Sequence, residues 1–178
     1  NFDRVLLDAP CSGSGIISRD KSIKTKKSLE DIQRHSMLQR RLLMSALDCA
    51  NPNSATGGFV VYSTCSFLVE ENEAVIDFVL QRRHIEIVDT GLPFGRPGFV
   101  KYRHLRFHPT VAETRRFFPH VHNLDGFYVC KIKKLSDRPM GKPDGAVERP
   151  LKLTAVEKNM QKAAKAAKRT ESESAAKA

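Results

Sequence analysis

The sequence predicts an α/β domain in which a mostly parallel sheet is flanked by helices. Two observations lead to this fold class. Short apolar runs, each bounded by turn-forming residues, alternate with longer amphipathic segments over residues 1–134, and this alternation is typical of β-α-β units. The first two apolar runs are also joined by one helix-length segment, and such a connection forms a right-handed crossover between neighbouring parallel strands. Only about four strands can be recognised, fewer than a doubly wound sheet contains.

The first strand is predicted at Val5–Asp8, an apolar run that ends where Pro10 and two nearby glycines follow. The loop after it includes residues 18–27, in which five basic side chains accompany a single acid. Such a composition is typical of an exposed basic loop.

The next predicted element is a long helix. Ser28 is suited to cap its N-terminus, and Asp31 places an acid in the first turn. An apolar stripe at helical spacing then continues to about Ala50, where the sequence NPNSATGG (residues 51–58) ends the helix. A second buried strand, Phe59–Tyr62, leads into the polar sequence STCS.

The second half of the folded region is less regular. Glu70–Gln81 is predicted to be an amphipathic helix, and Ile85–Val88 a strand with alternating apolar and polar residues. Residues 89–125 are rich in proline, glycine, arginine and histidine and are predicted to be irregular. Phe127–Lys133 alternates like a final strand, so a folded domain of residues 1–134 is expected.

The remaining residues, 135–178, differ in composition from this domain. They are polar and carry 10 basic against 6 acidic side chains. They are therefore predicted to form a basic, disordered tail with a marginal helix near residues 155–168. The basic side chains either retain the protein in the nucleus or keep the tail solvated.

The overall charge narrows the class of partner. The chain has 178 residues, a net charge of +10 and an isoelectric point near 9.7, which favours an anionic partner such as nucleic acid. It contains no signal peptide and no long apolar segment, so an intracellular protein with reduced thiols is expected. The chain starts at Asn1 and enters an apolar strand almost at once, which favours a fragment of a longer protein.

Two of the cysteines occupy corresponding positions in this fold. Cys11 and Cys65 each lie just past a predicted strand, and an open parallel sheet binds ligands at the carboxyl ends of its strands. Because neighbouring strands are about 4.8 Å apart, the two thiols are expected to face one pocket. Cys49 and Cys130 fall within a helix and a strand and are predicted to be packing residues. No C-x-x-C pair occurs, so no metal site is predicted.

Three motifs resemble those of the S-adenosylmethionine-dependent RNA cytosine-5 methyltransferases. They are DAPCSGSG at residues 8–15, YSTCS at 62–66 and TRRFFPHVHNLDGFYVCKIKK at 114–134. The pair APCSG and STCS is specific when both occur together. The resemblance covers about residues 1–134 and implies a Rossmann-like class I methyltransferase fold, of which this chain holds the C-terminal half without the N-terminal strands. The stretch FHPTVAETRRFFPHVHN resembles the branch that acts on large-subunit ribosomal RNA.

The resemblance implies a role for each residue of the two cysteine motifs. In this family the cysteine after threonine is the nucleophile, which corresponds to Cys65. Its thiolate would add to carbon 6 of cytosine, so that carbon 5 can accept a methyl group. Cys11 would help to release the product, and Asp8 would lie between the cofactor S-adenosylmethionine and the base. Whether Asp8 contacts the base or the amino group of the cofactor stays open, and a loop-capping aspartate is the structural alternative.

The resemblance also implies ribosomal RNA and pre-ribosomal particles as partners, and a location in the nucleus and nucleolus. A target base inside paired RNA has to be turned out to reach such a pocket, and basic side chains can hold the backbone around it. The candidates for this role are Lys21, Lys24, Arg103, Arg106, Arg115 and Arg116. The irregularly spaced histidines of the second half do not predict a metal site.

The chain departs from the family pattern in its cofactor-binding part. The glycine-rich turn after the family's first strand and the acid after its second strand are absent. This chain alone is therefore expected to bind RNA weakly and to transfer no methyl group.

Two alternative functions stay open. A noncatalytic ribosome-assembly factor could keep the fold for RNA binding, although RNA binding requires neither thiol. A cysteine hydrolase could pair Cys65 with a histidine, although it would need no second thiol.

Overall fold

The computed structural model describes residues 1–139. Within them, strands and helices follow one another in this order: β1 (Arg4–Asp8), α1 (Ile23–Lys26), α2 (Leu29–Cys49), β2 (Gly58–Thr64), α3 (Glu73–Leu80), β3 (Arg83–Val88), β4 (Arg96–Pro97), β5 (Lys101–Tyr102), β6 (Leu105–Arg106), β7 (Arg115–Phe117), α4 (Pro119–His122) and β8 (Phe127–Pro139).

Six of the strands form one mixed sheet around β8. The order is β1-β2-β8-β7-β4, and β3 also pairs with β8, while β5 and β6 form a separate hairpin. β1 and β2 are parallel, as a crossover through α2 requires, whereas β8 runs antiparallel to β2, β3 and β7. The predicted α/β class with flanking helices is confirmed. Within the described residues, however, the sheet is mixed rather than mostly parallel, because β8 returns between β2 and β3 in the opposite direction.

Helix α2 forms where the sequence predicts it, and its first turn shows why. Ser28 Oγ accepts the backbone N–H of Asp31 at 3.1 Å, and Asp31 Oδ2 accepts the N–H of Ser28 at 3.0 Å, which is a reciprocal capping box. Leu43 and Leu47 are fully buried on one face, and burying such a side chain stabilises a fold by about 1.5–3 kcal/mol. This helix carries the chain from the loop after β1 back to the start of β2.

The core lies between helices α2 and α3 and one face of the sheet. Val60 and Tyr62 of β2 pair with Ile132 and Cys130 of β8, and all four side chains are fully buried. Burial raises the pKa of Cys130 well above its ordinary value, and its predicted packing role is confirmed. The same prediction is wrong for Cys49, which is exposed because the last turn of α2 directs it away from the buried stripe.

Three boundaries in the second half differ from the sequence-based prediction. Helix α3 begins at Glu73, after a 3-10 turn at Val69–Glu71. Part of the stretch expected to be irregular joins the sheet, because β7 pairs with the first residues of β8. The last strand extends to Pro139, past the predicted end of the domain, because β3 pairs with this end of β8. Residues 140–178, most of the predicted basic tail, lie outside the described residues.

The second face of the sheet keeps more exposure than the core face. Leu6 of β1 is 74% exposed, and Phe59 and Val61 of β2 are half-buried. Among residues 1–139, no helix is both long and apolar enough to cross a membrane.

Candidate active site at the ends of the first two strands

Cys11 and Cys65 meet at one edge of the sheet. Their sulfur atoms lie 3.4 Å apart, and both residues are half-buried. β1 and β2 end side by side, with Asp8 opposite Ser63 in the parallel register, so the loops that carry the two cysteines start from neighbouring points. The two thiols share one site, as the positions of the strands predict.

Glycine allows the two cysteine loops to approach each other. Gly15 donates its backbone N–H to the carbonyl oxygen of Cys65 at 2.8 Å, and the carbonyl of Gly15 accepts the N–H of Gly126 at 2.9 Å. A Cβ atom at Gly15 would lie 2.7 Å from the Cys65 carbonyl oxygen, which is too close for a stable contact. The absence of a side chain at this position thus brings three loops together, including the turn before β8.

Side-chain hydrogen bonds hold the loop after β2. Ser14 Oγ accepts the N–H of Phe67 at 2.9 Å and lies 3.1 Å from Ser66 Oγ. Thr64 Oγ1 donates to Asn72 Oδ1 at 2.6 Å, and Asn72 Nδ2 donates to the carbonyl oxygen of Ser66 at 2.8 Å. The residues on both sides of the second cysteine are therefore fixed by polar partners.

A buried carboxylate, Glu71, connects both loops. One of its oxygens accepts the Ser12 N–H at 2.8 Å, and the other accepts the Ser12 hydroxyl at 2.6 Å as well as the Ser66 hydroxyl. Gln39 Nε2, from α2, donates to the Pro10 carbonyl oxygen at 2.8 Å and lies 3.4 Å from Glu71 Oε1. Glu71 and Gln39 are fully buried, so water does not compete for these bonds.

Burial and neighbouring groups keep the Cys11 thiol protonated. The pKa of Cys11 is raised to about 12: burial is the largest cause, the hydrogen bond and charge of Cys65 and the charge of Glu71 add to it, and a backbone hydrogen bond from Gly13 opposes it. A thiol with such a pKa is almost fully protonated at neutral pH. Cys11 can therefore donate a hydrogen bond to Cys65 Sγ.

Asp8 lies at the end of β1, three residues before Cys11. It is the last residue of β1 and is exposed, and its Oδ1 accepts the Ser63 hydroxyl at 2.8 Å. This bond orients the carboxylate without neutralising it. The carboxylate therefore keeps acceptor capacity for an amino group of a base or of a cofactor.

The six basic candidates for RNA contact divide into exposed and internally bonded side chains. Four of them are exposed, namely Lys21, Lys24, Arg103 and Arg106. Arg115 is half-buried and lies 3.3 Å from Asp89. Arg116 is 1% exposed and forms an ion pair with Glu73. The prediction that Arg116 contacts RNA is therefore wrong, because its guanidinium is enclosed in the fold.

An apolar groove with a volume of about 750 Å³ lies beside the turn before β8. Its apolar lining consists of Leu92, Phe94, Phe117, Pro119, Leu124, Phe127 and Val129. Arg19 and Asp125 also line it and form an ion pair at 2.7 Å. Neither Cys11 nor Cys65 lines this groove. Within residues 1–139, no cluster of histidine, cysteine or acidic side chains is arranged to hold a metal ion.

Sequence reasoning missed the residues that support the two cysteines. It assigns Glu71 and Asn72 to the first turn of an amphipathic helix and gives no role to Gln39. In the structure all three are fully buried. The run EENE at residues 70–73 begins four residues after the second cysteine motif ends. It is a signal that could have drawn attention to Glu71 and Asn72, because polar side chains at a helix start bond to nearby backbone and loops.

Comparison with known proteins identifies chains that resemble this one. The family model described as 16S rRNA methyltransferase RsmB/F matches residues 1–133. The chain is 57% identical over 148 residues to the 26S rRNA (cytosine-C(5))-methyltransferase nsun-1 of Caenorhabditis elegans, which covers 83% of this chain and 22% of that protein. It is 59% identical over 138 residues to the 25S rRNA (cytosine-C(5))-methyltransferase nop2 of Schizosaccharomyces pombe, and the match covers 77% of this chain and 23% of that protein. It is 56% identical over 136 residues to the human 28S rRNA (cytosine(4447)-C(5))-methyltransferase, and this match covers 76% of this chain and 17% of that protein.

Solved structures share the fold. A methyltransferase homolog from Pyrococcus horikoshii matches with a TM-score of 0.65 at 38% identity, over 76% of this chain and 40% of that one. NSun6 from the same organism, solved with SFG, matches with a TM-score of 0.60 at 28% identity. The match covers 74% of this chain and 30% of that one. This chain spans only about a fifth of the length of the three curated relatives.

Proposed function

Because the chain belongs to the 16S rRNA methyltransferase RsmB/F family, we propose that it forms the C-terminal part of an enzyme that methylates carbon 5 of a cytosine in large-subunit ribosomal RNA. The resemblance of the sequence motifs to RNA cytosine-5 methyltransferases is confirmed by the family match. Relatives at 56% to 59% identity are named as 25S, 26S and 28S rRNA (cytosine-C(5))-methyltransferases. The observation that carries the proposal is the 3.4 Å contact between the sulfur atoms of Cys11 and Cys65, because a covalent route with a release step uses two thiols.

Cys65 is the proposed nucleophile. Its thiolate adds to carbon 6 of the cytosine, which forms a C–S bond and raises the electron density at carbon 5. S-adenosylmethionine, when bound, supplies the methyl group that carbon 5 accepts. A water molecule then takes the carbon-5 proton, which restores the double bond between carbons 5 and 6, and the electron pair of the C–S bond leaves with the sulfur of Cys65.

Cys11 is the proposed release residue. Its sulfur lies 3.4 Å from the sulfur that has to leave, and its pKa of about 12 keeps it protonated. It can therefore donate its proton to the departing Cys65 sulfur. The same protonation makes Cys11 a poor nucleophile, because the thiolate is the reactive form. Two cysteines in contact can thus have different roles.

Asp8 is suited to a positively charged cofactor. Its exposed carboxylate lies at the carboxyl end of a parallel strand, where sheets of this class bind ligands. S-adenosylmethionine carries an ammonium and a sulfonium group, both of which a carboxylate attracts. The NSun6 structure was solved with SFG, an analogue of this cofactor. We therefore assign Asp8 to the boundary between cofactor and base.

Exposed basic side chains are consistent with an RNA substrate. Lys24 lies in α1 and Lys21 just before it, and Arg103 and Arg106 lie in the β5–β6 hairpin. Contacts of such side chains with phosphates make binding dependent on salt. Ribosomal RNA within pre-ribosomal particles is the proposed partner, and the nucleolus is the proposed location.

Covalent trapping tests this function. The full-length protein that contains this chain is incubated with its RNA carrying 5-azacytidine, and a protein–RNA band that survives denaturing electrophoresis is expected. Cys65→Ala should abolish both the band and methyl transfer, whereas Cys11→Ala should accumulate an adduct with unmodified RNA. Cys49→Ala is the matched control, since this cysteine is exposed at the end of α2.

Two results would contradict the proposal. If the wild-type protein gives no band with its own RNA, a noncatalytic RNA-binding role replaces the enzyme. If Cys11→Ala removes the band and Cys65→Ala keeps it, the two cysteines exchange roles.

A further inference from the structure

Glu71 contacts the residue that follows each cysteine. Ser12, next to Cys11, donates both its N–H and its hydroxyl to this carboxylate, and Ser66, next to Cys65, donates its hydroxyl. The two serine hydroxyl oxygens also lie 3.4 Å from each other. One side chain therefore bridges the two loops at equivalent points.

Core side chains contact both the backbone and the carboxylate of Glu71. The Tyr62 hydroxyl donates to the Glu71 carbonyl oxygen at 2.7 Å, and Gln39 Nε2 lies 3.4 Å from Glu71 Oε1. All three side chains are fully buried. These buried contacts hold Glu71 in place between the two cysteine loops.

We propose that Glu71 is a positioning residue for the release step of methyl transfer, because it sets the distance between the sulfur atoms of Cys11 and Cys65. This inference rests on the proposed function. A proton can pass between two sulfur atoms only when they stay in contact, and the loops that set the 3.4 Å separation are joined by the hydrogen bonds of Glu71.

The charge of Glu71 acts on the same pair. It is one of the causes that raise the pKa of Cys11, after burial and the influence of Cys65. The titratable groups facing Cys11 are Cys65, Glu71 and Tyr62, and His35 Nδ1 lies 4.0 Å from Glu71 Oε1. Removing the negative charge should therefore let Cys11 lose its proton at lower pH.

Kinetics of the full-length Glu71→Gln variant test the geometric part. Glutamine keeps the shape of the side chain, but it has only one acceptor oxygen, so it cannot accept both the serine hydroxyls and the Ser12 N–H. Release of methylated RNA is expected to slow roughly 100-fold, the effect of misplacing a catalytic group by about 1 Å, so that the adduct accumulates. Glu70→Gln is the matched control, because Glu70 is adjacent and exposed, and its release rate should not change.

Alkylation of the thiols provides a readout that does not depend on activity. Each cysteine is labelled with iodoacetamide over a range of pH and quantified by mass spectrometry. Labelling of Cys11 should shift to lower pH in Glu71→Gln and stay unchanged in Glu70→Gln. Cys130, which is fully buried, reports unfolding, since it is labelled only when the fold opens.

A second substitution keeps the inference testable if Glu71→Gln opens the fold. Glu71→Asp retains the charge but is one methylene too short to bridge both loops, so slow release is expected together with Cys11 labelling at the wild-type pH. The inference is overturned if the wild-type protein forms the adduct and a Glu71 variant with protected Cys130 releases product as fast as Glu70→Gln. Absence of an adduct from the wild-type protein would instead refute the proposed function.

Discussion

Removal of the Arg116 side chain is expected to destabilise the fold without weakening RNA binding. The guanidinium is 1% exposed and forms two bonds with the fully buried carboxylate of Glu73. It also donates to the carbonyl oxygen of Phe67 at 2.9 Å, and it lies 4.5 Å from the centre of the Phe99 ring. Substitution by leucine leaves a buried carboxylate and a carbonyl without this donor.

The size of the effect follows from these interactions. Removing one partner of a buried ion pair costs about 3–5 kcal/mol of unfolding free energy. Glu73 keeps one donor, the backbone N–H of Phe99 at 2.9 Å, so we expect Arg116→Leu to lower the unfolding free energy by about 3–4 kcal/mol. Replacing both partners, in Glu73→Leu with Arg116→Leu, should restore most of this stability, because an apolar pair of similar volume leaves no charge unpaired.

Urea denaturation of the full-length variants measures the decrease in stability, and filter binding at several salt concentrations measures RNA affinity. The matched control is Arg103→Leu, in the exposed β5–β6 hairpin, which should weaken RNA binding and leave stability unchanged. Arg116→Leu should show the opposite pattern. An unchanged unfolding free energy of Arg116→Leu would refute the argument from burial. A slope of log affinity against log salt that falls by about one, as expected for the loss of one phosphate contact, would refute it as well.

Three further predictions follow from the structure. Gly15→Ala should reduce adduct formation on 5-azacytidine RNA, because the new Cβ would lie 2.7 Å from a carbonyl oxygen of the second cysteine loop; normal adduct formation would show that this loop can move freely. Lys21→Ala with Lys24→Ala should lower the slope of log affinity against log salt by about one for each phosphate that the variant no longer binds, and an unchanged slope would place RNA elsewhere. The hydrogen bonds from Arg83 hold the pKa of Asp48 below its ordinary value of 3.8. A depressed pKa stabilises the fold above pH 3.8, and this contribution is lost as the pH falls. Denaturation at several pH values should therefore show Asp48→Asn to be less stable by up to about 1 kcal/mol near neutral pH, with the difference disappearing in acid; a difference that grows in acid would contradict this assignment.

Local signals in the sequence predicted the part of the fold that local interactions determine. The capping pair Ser28 and Asp31 marked the start of α2, and a helix between two apolar runs implied the parallel pairing of β1 and β2. The mixed sheet depends on a different kind of interaction. β8 pairs on one side with β2 and on the other with both β3 and β7, and such pairing between distant segments is not encoded in the periodicity of any one of them.

The same distinction explains what was missed in the site. The meeting of Cys11 and Cys65 could be predicted, because both follow strands that a single crossover makes neighbours. Burial of Arg116 could not be predicted, because its partner Glu73 is 43 residues away. An arginine in a basic stretch with no partner in sight is usually exposed. Burial of a charged side chain is decided by its partner, and the sequence alone does not identify that partner.

Three consecutive buried side chains hold the loop that carries Cys65. Glu71 binds the Ser66 hydroxyl, Asn72 binds the carbonyl oxygen of the same residue, and Glu73 orients Arg116, which donates to the next carbonyl along the loop. Burying two carboxylates stabilises a fold no better than apolar packing does, so stability does not explain their presence. Their directional bonds specify where the loop lies. The double leucine variant of Glu73 and Arg116 should therefore regain stability and still transfer methyl groups slowly, since it no longer fixes the loop beside Cys65. Restored methyl transfer in that variant would show that packing alone is enough to place the nucleophile.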